Sequence, residues 1–202
     1  MTPLRDRYWA GQAQALQSSG GLNNENILPN NVDGMQRAFY NPAMSVTSVI
    51  MVCTENICRS PMAEGLMRQR VAELGLQKTI RVDSAGTQVS QPRQKPDARA
   101  IKVMSDAGIP LRGIKARKVN AKDLARNDHV IAMDSANYNT LIEFCNPDHR
   151  HKIVLLPGMS AESGPVEIPD PYYGNLDGFT AVYRLLDGAI DRLLRQVGAS
   201  SD

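Results

Sequence analysis

Apolar and polar residues fall into alternating strand-like and helix-like blocks from residue 46 onward. Short apolar runs, often β-branched, predict strands, while apolar positions three or four residues apart predict amphipathic helices. The predicted strands span 46–52, 79–82, 129–133 and 153–156. The predicted helices span 60–74, 97–107, a short turn from 120, 135–144 and a last helix with an apolar stripe over 179–194. This alternation predicts an α/β fold with a doubly wound, four-stranded parallel sheet and helices on both faces.

The first 45 residues differ from the rest, because they are rich in Gln, Asn, Gly and Ser and contain few clustered apolar residues. Such a segment cannot bury enough apolar surface to offset the entropy of ordering it. We therefore expect residues 1–45 to be a disordered extension and residues 46–200 to form one domain. A short docked helix over 6–17 is an alternative, and a natural start at Met44 is another.

Charge and cysteine content narrow the class of protein further. The 23 basic and 21 acidic residues nearly balance, which argues against nucleic acid or an anionic membrane as a partner. The longest apolar run, Val46–Cys53, suits a buried strand and is too short to span a bilayer, and the charged first ten residues do not resemble a signal peptide. Three cysteines, Cys53, Cys58 and Cys145, are too few for a secreted disulfide framework, so we expect a cytoplasmic protein.

The loop after the first predicted strand has the features of an anion-binding site with a nucleophile. It reads Cys-Thr-Glu-Asn-Ile-Cys-Arg-Ser from Cys53 to Ser60, followed by Pro61. In open parallel sheets, ligands bind at the carboxyl ends of strands, and the N-terminus of the following helix attracts anions. The same field favours thiolate over thiol, so Cys53 is the predicted nucleophile. The loop residues expected to bind the anion with it are Thr54, Glu55, Asn56, Ile57, Cys58 and Ser60.

Three side chains of this loop have individual predicted roles. Arg59 offers a planar fork for two phosphoryl oxygens. Ser60 can hydrogen-bond the sulfur and can also cap a helix whose first residue is Pro61, while Asn56 tolerates a left-handed backbone. A lone cysteine–arginine spacing would more often mark a buried structural cysteine, but the strand before and the Ser-Pro start after it favour a nucleophile. The loop has no lysine and little glycine, which argues against a nucleotide triphosphatase.

The segment 52–61, Val-Cys-Thr-Glu-Asn-Ile-Cys-Arg-Ser-Pro, closely resembles the signature of the low-molecular-weight protein tyrosine phosphatases. The resemblance covers about 48–197 and includes 83–87, 96–100, 133–134 and the Asp-Pro-Tyr-Tyr-Gly segment at 170–174. It implies a flavodoxin-like fold of the phosphotyrosine phosphatase I type and hydrolysis of phosphotyrosine through a cysteinyl phosphate. No cofactor or metal would be required. The implied partners are tyrosine-phosphorylated proteins, a tyrosine kinase among them, and we expect a monomer.

The resemblance also implies roles for the segment that begins at Asp170. Asp170 would protonate the leaving phenolate and later accept a proton from the attacking water. Tyr172 and Tyr173 would form aromatic walls for the substrate ring. Without the cysteine loop, the same Asp-Pro-Tyr-Tyr-Gly sequence would be interpreted as a surface turn.

Two residues depart from the family pattern. Glu55 stands where the signature usually has glycine, and we expect its carboxylate to point outward to the pocket rim because inside it would repel phosphate. Ile114 stands where a histidine often supports the loop through the serine, so we expect Ser60 to be positioned differently.

Two other functions remain open on the sequence alone. An arsenate reductase on the same scaffold needs two further cysteines for a thiol relay, and only Cys145 lies beyond the loop, on a predicted core face. A phosphotyrosine-binding module without activity is the other alternative, favoured only by the two departures from the pattern. The three histidines lack the spacing of metal ligands, which argues against a metal site.

Overall fold

The protein is described by a computed structural model that covers residues 46–156 and 167–199. Its sheet has four parallel strands in the order β2-β1-β3-β4. The strands are β1 (Thr47–Cys53), β2 (Ile80–Gly86), β3 (His129–Ala132) and β4 (Ile153–Leu155). The predicted fold class is therefore confirmed. The expectations for residues 1–45 concern a segment outside the described residues.

Five α-helices alternate with these strands in the described part of the chain. They are α1 (Arg59–Glu73), α2 (Ala98–Asp106), α3 (Ala121–Arg126), α4 (Ser135–Phe144) and α5 (Leu176–Ala199), and a 3₁₀ helix spans Pro147–Lys152. Side chains at the N-caps fix three of the helix starts. Asp97 accepts from the N–H of Arg99, Asn120 forms a capping box, and Asp134 accepts from the N–H of Asn137. None of the described helices is both long enough and apolar enough to cross a membrane.

Two sequence predictions about element boundaries are wrong. Ser60 does not cap α1, because the helix begins at Arg59 and the N-cap position is Cys58, whose side chain makes no capping hydrogen bond. The apolar pattern predicts that the second strand ends at Val82, but β2 continues to Gly86, which pairs with Cys53 of β1. Parallel pairing with the central strand outweighs the weak strand propensity of the polar and small residues at the end of β2.

The strand β1 is central and is buried on both faces. Its alternating side chains divide between two apolar clusters, with Val49 and Met51 in one and Ile50 and Val52 in the other. Residues of α1, α2 and α5 complete the first cluster, and residues of α3 and α4 complete the second. The predicted stripe of α5 lies in the first cluster through Phe179, Val182, Leu186, Ile190, Leu193 and Leu194.

The order of the strands determines where a ligand can bind. The chain runs from β1 to β2 on one side and then crosses over to β3 on the other side of β1. The carboxyl end of β1, where Cys53 lies, is therefore the point at which strand order reverses. In doubly wound sheets a crevice forms at that point, so the fold favours ligand binding at the loop after β1.

Candidate active site

The loop between β1 and α1 is short, buried and tied to the neighbouring strand. Cys53 is the last residue of β1 and Arg59 the first of α1, and both are buried. The N–H of Thr87 donates to the carbonyl of Cys53 over 2.9 Å. Asn56 has φ 57°, so the predicted left-handed backbone at this residue is confirmed.

Gly86, at the end of β2, lets the loop approach the sheet closely. A Cβ atom at this position would lie 2.5 Å from the carbonyl oxygen of Thr54 and 3.0 Å from the nitrogen of Asn56. Both neighbours are backbone atoms, which cannot move without opening the loop. A larger residue here would therefore displace the segment that contains the predicted nucleophile.

The thiol of Cys53 contacts a serine that is held by an asparagine. Cys53 Sγ lies 3.0 Å from Ser60 Oγ, which confirms the predicted contact between them. Asn56 Nδ2 donates to Ser60 Oγ over 2.9 Å, and Ser60 Oγ also lies 3.3 Å from the carbonyl oxygen of Ala85. Ile114 is buried in the first apolar cluster. Asn56, rather than a side chain at position 114, therefore fixes the hydroxyl of Ser60.

Arg59 is a buried cation surrounded by four acceptors. Its side chain is only 2% exposed. Nη1 lies 2.5 Å from Asp134 Oδ2 and 3.0 Å from the carbonyl oxygen of Ile168. Nη2 lies 3.2 Å from Thr54 Oγ1 and 2.8 Å from Asp170 Oδ2. A buried charge needs such partners, and they orient the guanidinium beside the loop.

The electrostatics of the loop favour an anion. Burial alone would lower the pKa of Arg59, but the nearby charges of Cys53, Asp134 and Asp170 and the hydrogen bond to Asp134 raise it above its ordinary value. Arg59 is therefore a permanent cation. The first turn of α1 contains no acidic residue, and no side chain caps its N–H groups. The loop thus combines a fixed positive charge with an uncapped helix N-terminus, the arrangement that binds oxyanions.

Asp170 links the segment after residue 167 to Arg59. Its Oδ1 accepts from the N–H of Tyr172 over 3.1 Å, while its Oδ2 accepts from Arg59. The Asp170 side chain is 47% exposed, so it faces both the guanidinium and solvent. The rings of Tyr172 and Tyr173 meet edge to face with centroids 5.1 Å apart, and Tyr173 is 96% exposed. The loop therefore places a carboxylate next to the guanidinium of Arg59 and presents two aromatic rings two and three residues further along the chain.

Arg99 secures this acidic loop, a role that its local sequence does not indicate. Its guanidinium donates to the carbonyl oxygen of Gly174 over 2.7 Å and lies 5.8 Å from the ring centroid of Tyr172 and 4.5 Å from that of Phe179. Asp97 fixes the guanidinium through hydrogen bonds of 2.9 and 2.8 Å. Cation–π contact and a charge-assisted hydrogen bond together hold the aromatic end of the loop.

Cys58 and Ile57 lie on the inner side of the loop. The N–H of Asp97 donates to the carbonyl of Ile57 over 2.8 Å and connects the loop to α2. Burial, the charge of Asp97 and the charge of Cys53 raise the pKa of Cys58 to about 12. Cys58 is therefore a neutral thiol at physiological pH.

Glu55 points its carboxylate toward the segment that follows β2. Its Oε2 accepts from the N–H of Ser90 over 2.8 Å and from Ser90 Oγ over 3.0 Å, and this contact is exposed. The carboxylate is thus engaged at the surface, which agrees with the expected outward orientation.

The third cysteine lies apart from the loop. Cys145 is buried in the second apolar cluster, with residues of α3 and α4, as the sequence predicted. Within 46–156 and 167–199, no three or more His, Cys, Asp or Glu residues come together in a way that could hold a metal ion.

The arrangement can perform displacement at a tetrahedral oxyanion. A sulfur nucleophile lies at a strand end beside a fixed guanidinium and an uncapped helix N-terminus. A half-exposed carboxylate is hydrogen-bonded to that same guanidinium. Sulfur attack on phosphorus with proton donation to the leaving oxygen uses all of these groups.

Comparison with known proteins identifies relatives of the whole described domain. The family model described as low molecular weight phosphotyrosine protein phosphatase matches residues 48–202. The chain is 35% identical to the low molecular weight protein-tyrosine-phosphatase YfkJ of Bacillus subtilis over 74% of this chain and 95% of that protein. The crystal structure of YfkJ matches with a TM-score of 0.73 at 33% identity, covering 79% of this chain and 99% of that one.

Two further relatives show the range of activities named on this scaffold. The chain is 37% identical to the human low molecular weight phosphotyrosine protein phosphatase over 68% of this chain and 87% of that protein. A structure of the YwlE arginine phosphatase, with a phosphorylated active-site serine in place of cysteine, matches with a TM-score of 0.67 at 26% identity. That match covers 75% of this chain and 95% of that one.

Proposed function

The chain belongs to the low molecular weight phosphotyrosine protein phosphatase family, and we propose that it hydrolyses phosphotyrosine with Cys53 as nucleophile and Asp170 as acid and base. The observation that carries the assignment of these residues is the position of Arg59. Its guanidinium lies at the helix start that follows Cys53 and binds Asp170 Oδ2 over 2.8 Å. One cation therefore connects the loop of the nucleophile to the proposed acid.

In the first step, the Cys53 sulfur attacks phosphorus while Arg59 and the loop N–H groups bind the equatorial oxygens. A sulfur–phosphorus bond forms, and the bond between phosphorus and the tyrosyl oxygen breaks. Asp170 gives its proton to the leaving phenolate and becomes a carboxylate. The products of this step are tyrosine and a cysteinyl phosphate.

In the second step, water attacks the phosphorus of the cysteinyl phosphate. The Asp170 carboxylate takes a proton from this water, and the sulfur–phosphorus bond breaks with its electron pair remaining on Cys53. Inorganic phosphate leaves, and both Cys53 and Asp170 return to their starting protonation states. The same residue thus serves as acid in one step and base in the other.

The remaining loop residues define the substrate site. Thr54, Glu55, Asn56, Ile57, Cys58 and Ser60 surround the anion through backbone N–H groups, in the same role that the sequence predicted for them. Tyr172 and Tyr173 contact the aromatic ring of the substrate, and Arg99 holds Tyr172 and Gly174 in place.

The physiological setting follows from the chemistry of the site. A free cysteine as nucleophile requires a reducing compartment, and all three cysteines are free, which supports a cytoplasmic location. We propose a monomer, because one chain supplies the nucleophile, the guanidinium and the acid that the two steps require. Tyrosine-phosphorylated proteins are the proposed substrates, with a tyrosine kinase among them.

Neither alternative function accounts for these residues as well. An arsenate reductase would need Cys145 in a relay, but this thiol is buried among residues of α3 and α4. A phosphotyrosine-binding module would not need the contact between Arg59 and Asp170. Both alternatives predict weak or absent phosphatase activity.

A turnover assay with matched substrates tests the proposal. We expect release of phosphate from a phosphotyrosine peptide and from a small aryl phosphate, and much slower release from the same peptide carrying phosphoserine. Phosphoarginine is the informative control, because a relative on this scaffold is named for it. Faster turnover of phosphoarginine than of phosphotyrosine, or thiol-dependent reduction of arsenate alone, would contradict the proposal.

A further inference from the structure

A buried carboxylate on α1 has no part in the proposed two-step reaction. Glu64 is 2% exposed, and its Oε1 lies 2.5 Å from Arg68 Nη2, whose side chain is 49% exposed. Its Oε2 accepts a short hydrogen bond from Ser84 Oγ on β2. Burial of a carboxylate is costly, and each oxygen of Glu64 has a partner of its own. The buried carboxylate of Glu64 is therefore a candidate for a role in function.

A continuous chain of hydrogen bonds connects this carboxylate to the nucleophile. Ser84 Oγ accepts from Asn56 Nδ2 over 2.9 Å, and Asn56 Nδ2 also donates to Ser60 Oγ over 2.9 Å. Ser60 Oγ in turn lies 3.0 Å from Cys53 Sγ. The three intermediate residues are almost completely buried, so water does not compete for their hydrogen bonds.

The charge of Glu64 determines which group donates in its hydrogen bond with Ser84 and in the hydrogen bond between Ser84 and Asn56. An ionised carboxylate can only accept, so the proton of Ser84 must point to Glu64. The oxygen of Ser84 is then an acceptor for Asn56 Nδ2. The amide of Asn56 cannot turn over, because its Oδ1 accepts from the N–H of Arg117 over 3.0 Å.

The remaining hydrogen bonds direct a hydrogen-bond donor, the hydroxyl of Ser60, at the sulfur. The Nδ2 group of Asn56 has two protons, one directed to Ser84 and the other to Ser60. Ser60 therefore accepts from Asn56, which leaves its own proton for Cys53 Sγ at 3.0 Å or for the carbonyl oxygen of Ala85 at 3.3 Å. The sulfur is the nearer acceptor and becomes the charged one when the sulfur–phosphorus bond breaks, so the proton is directed to it. A neutral Glu64 could instead donate to Ser84, whose redirected proton would oppose the Asn56 amide.

We propose that Glu64 is a positioning residue of the phosphatase reaction and that Arg68 keeps it charged. The ionised carboxylate orients the chain so that Ser60 donates a hydrogen bond to the sulfur of Cys53. This inference rests on the proposed function. The family often has a histidine at position 114 that supports the loop through the serine, and this position is a buried isoleucine here. Glu64 takes over that supporting role.

The second step of the reaction depends most on this hydrogen bond. When the sulfur–phosphorus bond breaks, negative charge develops on the Cys53 sulfur, and a donor aimed at that atom stabilises it. In the first step the sulfur loses negative charge, so the same donor gives no comparable advantage. Misorientation of Ser60 should therefore slow hydrolysis of the cysteinyl phosphate more than its formation.

The charges around Glu64 make its ionisation sensitive to Arg68. Burial and the charge of Asp83 on β2 raise the pKa of Glu64, whereas the hydrogen bond from Ser84 and the charges of Arg68 and Arg117 lower it. The net direction is upward, so Glu64 takes up a proton at a higher pH than an ordinary glutamate as the solution is acidified. Loss of Arg68 should move this protonation to still higher pH.

The test is a measurement of both chemical steps by rapid-quench kinetics with an aryl phosphate across the acidic and neutral pH range. E64Q should slow cysteinyl-phosphate hydrolysis relative to the wild type by roughly fivefold to tenfold at neutral pH, the equivalent of one lost hydrogen bond. The difference should shrink at the acidic end of the range, where Glu64 of the wild type also takes up a proton. R68Q should show the same slowing at mildly acidic pH and recover toward the wild-type rate as pH rises. Cysteinyl-phosphate formation should change less than twofold in both variants.

Two control variants separate positioning from general stability. R68K keeps the positive charge and should follow the wild type. K102Q breaks an exposed pair with Asp106 at the same helical spacing and should also leave both steps unchanged. Equal slowing of both steps, or an R68Q rate that does not recover with pH, would overturn the inference. If the wild type does not turn over aryl phosphates, the proposed function fails instead.

Discussion

Arg59 Nη2 lies 2.8 Å from Asp170 Oδ2, so the guanidinium proposed to bind phosphate also holds the carboxylate proposed to donate a proton. Its other terminal nitrogen lies 2.5 Å from Asp134 Oδ2. A phosphoryl group that binds Arg59 must therefore compete with Asp170, which is the more exposed of the two carboxylates. This competition links substrate binding to the position of the acid.

Substitution of Asp170 should separate acid catalysis from binding. Asp170→Ala should lower kcat by roughly 10²–10⁴ for a phenyl leaving group, because the phenolate then leaves without a proton. Binding of vanadate should be unchanged or tighter, because Arg59 loses a competing partner. Steady-state rates across a series of aryl phosphates, with vanadate inhibition in parallel, provide the measurement. An equal loss for good and poor leaving groups would argue against proton donation.

Asp134 has two roles that two substitutions can distinguish. Its Oδ1 accepts from the N–H of Asn137 over 2.7 Å and caps α4, while its Oδ2 binds Arg59. Asp134→Asn can keep the cap through its amide oxygen but turns its NH2 group toward Arg59, so both kcat/KM and Tm should fall through loss of the buried ion pair alone. Asp134→Ala should lose the cap as well, at about 1 kcal/mol of stability. Thermal unfolding and aryl-phosphate kinetics on both variants test this, and an equal drop in Tm would refute the capping role.

Cys58 should protect the nucleophile from oxidation in a pH-dependent way. After peroxide converts the Cys53 thiolate to sulfenic acid, the Cys58 sulfur can attack it, forming a disulfide and releasing water. Since the pKa of Cys58 is raised to about 12, its reactive thiolate is scarce at neutral pH and increases about tenfold per pH unit. Disulfide formation should accelerate accordingly, as measured by mass spectrometry of quenched samples.

Recovery of activity provides the control for this prediction. Dithiothreitol should restore the oxidised wild type, whereas Cys58→Ser should lose activity irreversibly under the same peroxide exposure. Full recovery of Cys58→Ser would mean that Cys58 only packs beside Ile57.

Glu55 should affect the choice of substrate more than the chemistry. Its carboxylate is bound at the surface by Ser90, so Glu55→Gly should leave kcat nearly unchanged. The substitution should improve kcat/KM for acidic phosphopeptides more than for basic ones, chiefly at low salt. Ser90→Ala, which keeps the charge and removes one hydrogen bond, is the matched control. A many-fold rise in kcat on a small neutral aryl phosphate would place the carboxylate inside the anion site.

The elements that determine the fold could be predicted because their patterns are local. The apolar run of β1 and the stripe of α5 each reflect burial against the sheet, and the Asp97 and Asn120 caps follow known preferences. The end of β2 could not be predicted, since residues 83–86 form a strand only through pairing with β1. Local propensity contains no information about that partner.

The part of the candidate site that lies in one continuous segment could be predicted from the sequence. The loop from Cys53 to Ser60 is contiguous, so the spacing of its residues is enough to indicate an anion site. The contacts of Arg59 with Asp134 and of Arg99 with Gly174 join distant segments. The family resemblance includes 96–100 and 133–134, but carboxylates and guanidiniums are common on surfaces, so the sequence did not indicate which contacts Asp134 and Arg99 make.

Detection of the covalent intermediate on Cys53 is the decisive test of the proposed reaction. The protein is mixed with a phosphotyrosine peptide, quenched in acid within the first turnovers, digested and examined by mass spectrometry, with Cys53→Ser treated in parallel. We expect a phosphoryl group on the Cys53 peptide of the wild type and no turnover by Cys53→Ser, which should still bind vanadate. Turnover by Cys53→Ser above a tenth of the wild-type rate, or a phosphoryl group on another residue, would contradict the proposed reaction.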